Sequence, residues 1–505
     1  MFHRTIHAFL LGIVLFQVHP LHAQVAEGRH THADTLRGTI GAERASWDVQ
    51  RYDISVEPDF PTRTIKGVSM ITLAWKGQEP MMQLDLQEPM SIDSVLSPSG
   101  ASYPFTREGN AWHVKVGGDR PAYIRVHFHG SPRIAVRPPW DGGWIFTQDK
   151  LGRPWMSVAC QGLGASVWFP CKDHQSDEPD LGASLSMTIP DTLVAVAMGR
   201  LTSRTNTANG KTTWRWEVKN PINNYNIIPY IGKYVNWTET FAGEKGALDC
   251  SYWVLDYEKE KAVAQFTQAR DMLQCFEHWF GPYPFYEDGY KLVQSPHLGM
   301  EHQSAVGYGN KFQNGYLGTD LSGTGWGLKW DFIIVHESGH EWFGNNITSN
   351  DLADMWLHEG FTNYSETIFT TCRFGADAGN DYVQGTRKRI LNKEPIIADY
   401  DVNMEGSGDM YYKGGNLIHF VRQLVGDDEK FRLGLREMNK RWYHRTVDSR
   451  DVEAFWSSWS GRNLQPLFDQ YLRHTAIPAF EYRIRGKRLQ YRWVDGIMGF
   501  DIPVK

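Results

Sequence analysis

The apolar residues of this chain change their period once, and the change divides it. From residue 46 to about 245, apolar and polar side chains alternate in short runs separated by turn residues, among them "RYDISVEPDF", "TIKGVSMITLAW", "AYIRVHFHG" and "KTTWRWEVKN". A period of two puts every second side chain on one face of a strand, so this stretch predicts an antiparallel β domain. From about 255 the spacing becomes helical in "EKEKAVAQFTQARDMLQCFEHWFG", and it persists in "GGNLIHFVRQLVG", "EKFRLGLREMNKRW", "SRDVEAFWSSWSG" and "LQPLFDQYLRH". The last thirty residues return to alternation. The expected architecture is multidomain α+β: a β domain over 46–245, a second domain rich in helices over 246–475, and a short β tail over 476–505.

With 505 residues, 41% of them hydrophobic, the chain can bury two or three cores. A formal charge of -6 and the lack of a long Lys/Arg run exclude a broadly basic surface, so nucleic acid is not an expected partner. Residues 1–23 read as a signal peptide: Arg4 precedes the apolar "AFLLGIVLFQV", and "LHA" offers a small-residue cleavage site before Gln24. Residues 24–45 then read as a linker. No later segment approaches ~20 uninterrupted apolar residues, so the mature chain is expected to be exported, periplasmic or secreted, without stable membrane insertion. Five cysteines are too few, and odd in number, for a disulfide scaffold. Whether Cys160 pairs with Cys171 stays open, as does the oligomeric state.

The chemistry concentrates in "IIVHESGHEWFGNNITSNDLADMWLHEG", residues 333–360. A helix turns once per about 3.6 residues, so on a helix over 331–344 His336 and His340 share a face and can reach one ion, in the geometry of a zinc site. Glu337 is rotated about 100° around the axis and flanks the ion, placed to take a proton from water there. A catalytic zinc takes a third protein ligand and keeps one position open. Glu359, near the start of a second predicted helix, is the candidate, and its neighbour His358 points about 100° away. The apolar run Phe332–Val335 buries the first helix, and without a metal the trio would leave buried polar groups unpaired.

Two other segments carry candidate groups. In "HLGMEHQS", Glu301 ends a strand-like run and is either an ordinary strand-end acid or a carboxylate that attracts an ammonium group. In "GDMYYKGGNLIHFV", a phenol from Tyr411 or Tyr412 could donate to a developing oxyanion, and the spacing does not choose between them.

At four separated places the sequence resembles the M1 family of zinc aminopeptidases. "HESGH", followed after eighteen residues by Glu359 in "WLHEGFTNYSE", looks like the gluzincin zinc signature in its M1 form. "LGMEH" looks like the exopeptidase motif GxMEN, "YYKG" like YxKG, and "VWFPCKDHQSDEP" like the FPCxD segment of the N-terminal β domain. The resemblance implies a thermolysin-like catalytic domain with one zinc held by His336, His340 and Glu359, and Glu337 as general base. It assigns the transition-state hydrogen bond to Tyr411. It implies that Glu301 holds the α-amino group of a peptide with a free N-terminus, that Gln161 in "ACQGLGA" assists, and that Gly299 and Met300 line the substrate by backbone.

Two departures stand out. His302 occupies the position of the motif's asparagine among the expected substrate-binding residues. Only the thirty-residue tail follows where the family places a helical C-terminal domain, so the expected protein is a short, bacterial-type member with a more open cleft. The expected function is a metallo-aminopeptidase; the rivals are a zinc endopeptidase of the same metal class and a non-catalytic peptide-binding relative. Three N-x-[ST] sequons, at Asn236, Asn346 and Asn363, are not expected to be glycosylated, since a glycan on Asn363 would crowd Glu359 one helical turn away.

Overall fold

The computed structural model describes residues 30–207 and 209–503. The expected signal peptide over 1–23 lies outside the described residues, as does the start of the expected linker. The remainder of that linker is folded. Helix α1 (His32–Gly38) is closed by a capping box between Thr31 and Asp34, and α2 (Ala42–Ala45) follows it. Buried Arg44 anchors the pair, donating to Asp85 at 2.6 Å and to the Arg37 carbonyl at 2.5 Å. Breaking such a buried charge pair leaves an uncompensated charge, so the segment is fixed to the β domain.

Among the described residues, the β domain is built on an eight-stranded sheet. Its spatial order is Arg200–Thr207, Lys211–Val218, Ala183–Pro190, Trp47–Asp59, Thr64–Trp75, Tyr123–Gly130, Ser91–Leu96 and Ser102–Tyr103. The pairs are antiparallel except Trp47–Asp59 with Ala183–Pro190. A four-stranded sheet carrying Gly143–Gln148 and Pro154–Ala159 shares its core, which is filled by Trp47, Trp144, Trp168 and Trp216.

The expected boundary at 245 falls inside a hairpin. Tyr234–Gly243 and Gly246–Leu255 alternate like the strands before them, but they pair onward with Tyr290–Gln294, Val306–Tyr308 and Gly299–Met300 in a sheet of the second domain. The second domain therefore begins near 233. Alternation identifies a strand without saying which sheet it joins.

Helices α3 (Lys259–Gln265) and α4 (Gln268–Phe280) cover this sheet, followed by α5 (Phe332–Gly339), α6 (Trp356–Phe374), α7 (Ala376–Thr386) and α8 (Asp409–Val425). Helices α6 and α8 cross at two glycines: a Cβ on Gly414 would lie 3.0 Å from the Gly360 Cα, and one on Gly360 3.3 Å from the Gly414 Cα. Residues without side chains permit that approach, and it brings Glu359 and Tyr411, on either helix, to the same place. A disulfide joins Cys275 on α4 to Cys372 on α6. Cys160 and Cys171 are free and buried, as is Cys250, so the pairing left open does not form.

Helices α9 (Asp428–Arg441), α10 (Ser449–Ser460) and α11 (Gln465–Arg473) complete the domain. The tail forms a hairpin, Ala479–Arg485 with Arg488–Val494, and then buries Phe500 and Ile502 in the core of the second domain. Gln470 on α11 accepts a hydrogen bond from the Ile497 N–H at 2.7 Å, so the tail docks on the second domain. No helix among the described residues is long and apolar enough to cross a membrane.

Candidate metal centre and substrate cleft

Asp331 starts α5 by accepting from the Ile333 and Ile334 N–H groups, and the apolar run after it buries the helix. The helix is shorter than the expected 331–344. It ends at Gly339, and His340 is its C-cap, still in αR geometry. Beyond it the Asn345 N–H returns to the His340 carbonyl and Asn346 to that of Glu341. Gly344, at φ 133°, sits in this bend, where a Cβ would lie 3.2 Å from His340 Nδ1.

His336 and His340 face one point. Their rings are 5.1 Å apart, and Glu359 Oε2 lies 3.6 Å from His336 Nε2 and 3.4 Å from His340 Nε2. The outer nitrogens are committed: His336 Nδ1 is 2.8 Å from Glu366 Oε1, and His340 Nδ1 is 3.0 Å from the Phe343 carbonyl. Donation outward leaves both Nε2 lone pairs turned inward, the arrangement that carboxylate or carbonyl partners impose on metal-binding histidines. Glu359 Oε2 is buried and has no hydrogen-bond donor among the described residues. Two imidazole nitrogens and a bare carboxylate oxygen within 4.8 Å of one another fit a divalent metal such as zinc. His358 is turned away, its Nε2 accepting from the Ser349 N–H at 2.9 Å.

Glu337 lines the cleft beside these ligands. Burial pushes its carboxyl up to about 7, with His336 opposing the rise and Glu301 reinforcing it. Gly299 packs closely on this group: a Cβ there would come within 2.6 Å of Glu337 Oε1, so a larger residue would displace that side chain. Gly299 and Met300 form an edge strand of the second sheet and line the cleft. Glu301 follows, accepting from Gln161 Nε2 at 2.6 Å and from the Tyr225 hydroxyl at 2.9 Å, while its backbone carbonyl accepts from Asn345 at 2.7 Å. Burial raises the Glu301 carboxyl, with the neighbouring Glu359 adding to the rise. Tyr225 was not legible in the sequence, where "NNYN" offers no signal that distinguishes it from the other tyrosines.

The structure separates the tyrosines. The Tyr411 ring lies 6.2 Å from that of His336, and the charges acting on its phenol are Glu359, Glu405, Glu301 and Glu337. Tyr412 also lines the cleft but answers to Glu366 and Arg389. His302 does not line the cleft. It is buried behind Glu301, with Nδ1 2.6 Å from the Tyr230 hydroxyl, because an imidazole there finds its polar partner inside the protein. The FPCxD segment is held inside the β domain: the Asp173 N–H donates to Asp85 and the Asp173 carboxylate accepts from Ser166. Of the sequons, Asn346 and Asn363 are buried.

The cleft, about 470 Å³ in volume, also takes in Trp140, Tyr316, Leu321, Arg389 and Glu405, none of which a motif marks.

Comparison with known proteins agrees with this fold. The chain is 21% identical over 461 residues to the leucyl aminopeptidase of Saccharolobus solfataricus, covering 87% of this chain and 55% of that one. It is 24% identical over 416 residues to human aminopeptidase B, covering 78% and 59%. The chain thus spans a little over half the length of these curated relatives. Among solved structures, the M1 zinc metallopeptidase of Deinococcus radiodurans superposes with a TM-score of 0.69 at 20% identity, over 86% of this chain and 96% of that one. Native yeast LTA4 hydrolase superposes at 0.68 and 17% identity, over 86% and 69%. The profile of the Peptidase family M1 domain matches residues 265–471, the stretch that holds Glu301, His336, Glu337, His340, Glu359 and Tyr411.

Proposed function

We propose that this protein is a zinc-dependent aminopeptidase that removes N-terminal residues from peptides. The observation that carries the reading is Glu301: a carboxylate at the cleft wall, held by Gln161 and Tyr225, whose ligand atom lies within 4.8 Å of those of Glu337 and His340. A substrate ammonium placed against it would put the first peptide bond beside the general base. His336, His340 and Glu359 would hold the zinc, which when bound polarises the scissile carbonyl and lowers the pKa of a water.

The remaining steps belong to the chain's own side chains. Glu337 takes the proton of the attacking water and passes it to the leaving amine, a role that a carboxyl raised to about 7 suits near neutral pH. The Tyr411 hydroxyl donates to the oxyanion; its phenol, pushed well up by burial among carboxylates, keeps its proton for that purpose. Glu301 orients the substrate by a charge-assisted hydrogen bond, and the edge strand Gly299–Met300 offers backbone groups to an extended peptide.

Export to a periplasm or beyond belongs to the same proposal. It is supported by the leader-like residues 1–23 and by the Cys275–Cys372 disulfide, a bond that persists in oxidising compartments. The test is a panel of aminoacyl fluorogenic substrates with N-acetylated counterparts. Rapid hydrolysis of the free amines and little of the blocked ones is expected. Internal cleavage of blocked peptides at an equal rate would replace this reading with an endopeptidase.

A further inference from the structure

The cleft is charged unevenly. Five carboxylates line it, those of Glu301, Glu337, Glu359, Glu366 and Glu405, and a single cationic side chain that is always charged, Arg389. The contacts order these groups. Glu301 clusters with Glu337 and His340, His336 carries Glu366, and beyond them Tyr412 carries Arg389, whose guanidinium carbon lies 5.8 Å from the ring centre.

Arg389 is oriented but not neutralised. Its Nε donates to the Leu321 carbonyl at 2.6 Å, which steers the plane of the guanidinium, and both Nη groups are without a hydrogen-bond or ion-pair partner among the described residues. Glu366, which faces Tyr412 as Arg389 does, is already committed: Oε1 to His336 and Asn363, Oε2 to the Tyr382 hydroxyl. Several other arginines are paired with carboxylates, as Arg153 is with Asp149 and Asp256, and Arg422 with Asp428. A solvent-exposed guanidinium on the cleft lining, held by its Nε edge with its two Nη groups free, matches the two oxygens of a carboxylate.

We propose that Arg389 binds the C-terminal carboxylate of short peptides, so that free peptides of two to four residues are the preferred substrates. This rests on the aminopeptidase reading and names its substrate class. An extended chain advances about 3.3–3.6 Å per residue, so a tripeptide spans about 10 Å, and a volume of about 470 Å³ accommodates an occupant of that size. Glu301 would then hold one end of the peptide and Arg389 the other.

The experiment compares a tripeptide with its C-terminal amide on the zinc-loaded enzyme. In the wild type the free acid should have a KM lower by about two- to fivefold, the scale of a solvent-exposed ion pair. In Arg389→Gln the acid's KM should rise to that of the amide, and Arg389→Lys should restore part of the difference. Lys388→Gln, which removes a neighbouring charge outside the cleft, should preserve the wild-type ratio. Equal KM values for acid and amide in the wild type, or an acid preference that survives Arg389→Gln, would overturn the anchor. If the wild type hydrolyses neither peptide from its N-terminus, the aminopeptidase reading itself fails, so the two failures are distinguishable.

Discussion

Gln161 of the β domain donates its side-chain amide to Glu301 of the catalytic domain at 2.6 Å, across 140 residues of sequence. The carboxylate expected to meet the substrate is therefore set by both domains. Tyr225, also from the β domain, supplies the second donor to the same oxygen. A carboxylate positioned by two donors is ready for an ammonium without reorganising.

Glu301→Ala should reduce kcat/KM for free-amine peptides by on the order of a hundredfold or more, since it removes one partner of a desolvated charge pair. N-acetylated peptides should be poor substrates for the wild type and no worse for the variant. The two changes are then non-additive, as expected of groups that meet directly. A loss of equal size on both substrates would deny Glu301 its role at the amine.

Zinc content tests the ligand set. The purified protein should contain about one zinc per chain by elemental analysis, and His340→Ala should lose it together with activity. Exhaustive chelation should abolish turnover, with recovery on adding zinc. A His340→Ala protein that keeps full zinc would rule out the site.

Glu337→Gln should keep the metal and lose a factor of roughly 10² to 10⁴ in kcat, because an amide cannot accept the proton of water. The variant should still bind peptide, measurable by calorimetry. Turnover within a few fold of the wild type would assign the base elsewhere.

Tyr411→Phe should lower kcat by roughly 10² to 10³ with KM little changed, since an oxyanion donor acts mainly in the transition state. Tyr412→Phe should have the smaller effect on kcat, because its phenol faces Glu366 and Arg389 rather than the metal ligands. The reverse ranking would exchange their roles.

The disulfide closes a loop between positions separated by 97 residues, so replacing Cys275 and Cys372 by serine should cost about 2–4 kcal/mol of stability. A lower urea midpoint with zinc retained is the expected outcome. An unchanged midpoint would mean that the bridge constrains little in the unfolded chain.

What the sequence determined by itself is what short spacings carry. Alternation announced the β domain, helical periodicity announced the second domain, and a spacing of four put His336 and His340 on one face with Glu337 beside them. Local signals also offered Glu359 and Glu301, and motif resemblance chose Tyr411 over Tyr412; the structure brings all three to one cleft with the histidines. Each of these signals is a short local pattern in the chain.

Tertiary structure decided the rest. The first strands of the second domain read like those of the β domain, and only their pairing with Tyr290–Gln294 moved the boundary from 245 to near 233. His302 occupies a motif position yet turns to Tyr230, a partner 72 residues away. Tyr411 reaches the metal ligands because Gly360 and Gly414 let two helices touch, and Tyr225 and Arg389 reach the cleft with no local pattern to mark them. Periodicity reports which face of an element is buried. It carries no information about which distant element covers that face, and a cleft is made of such meetings.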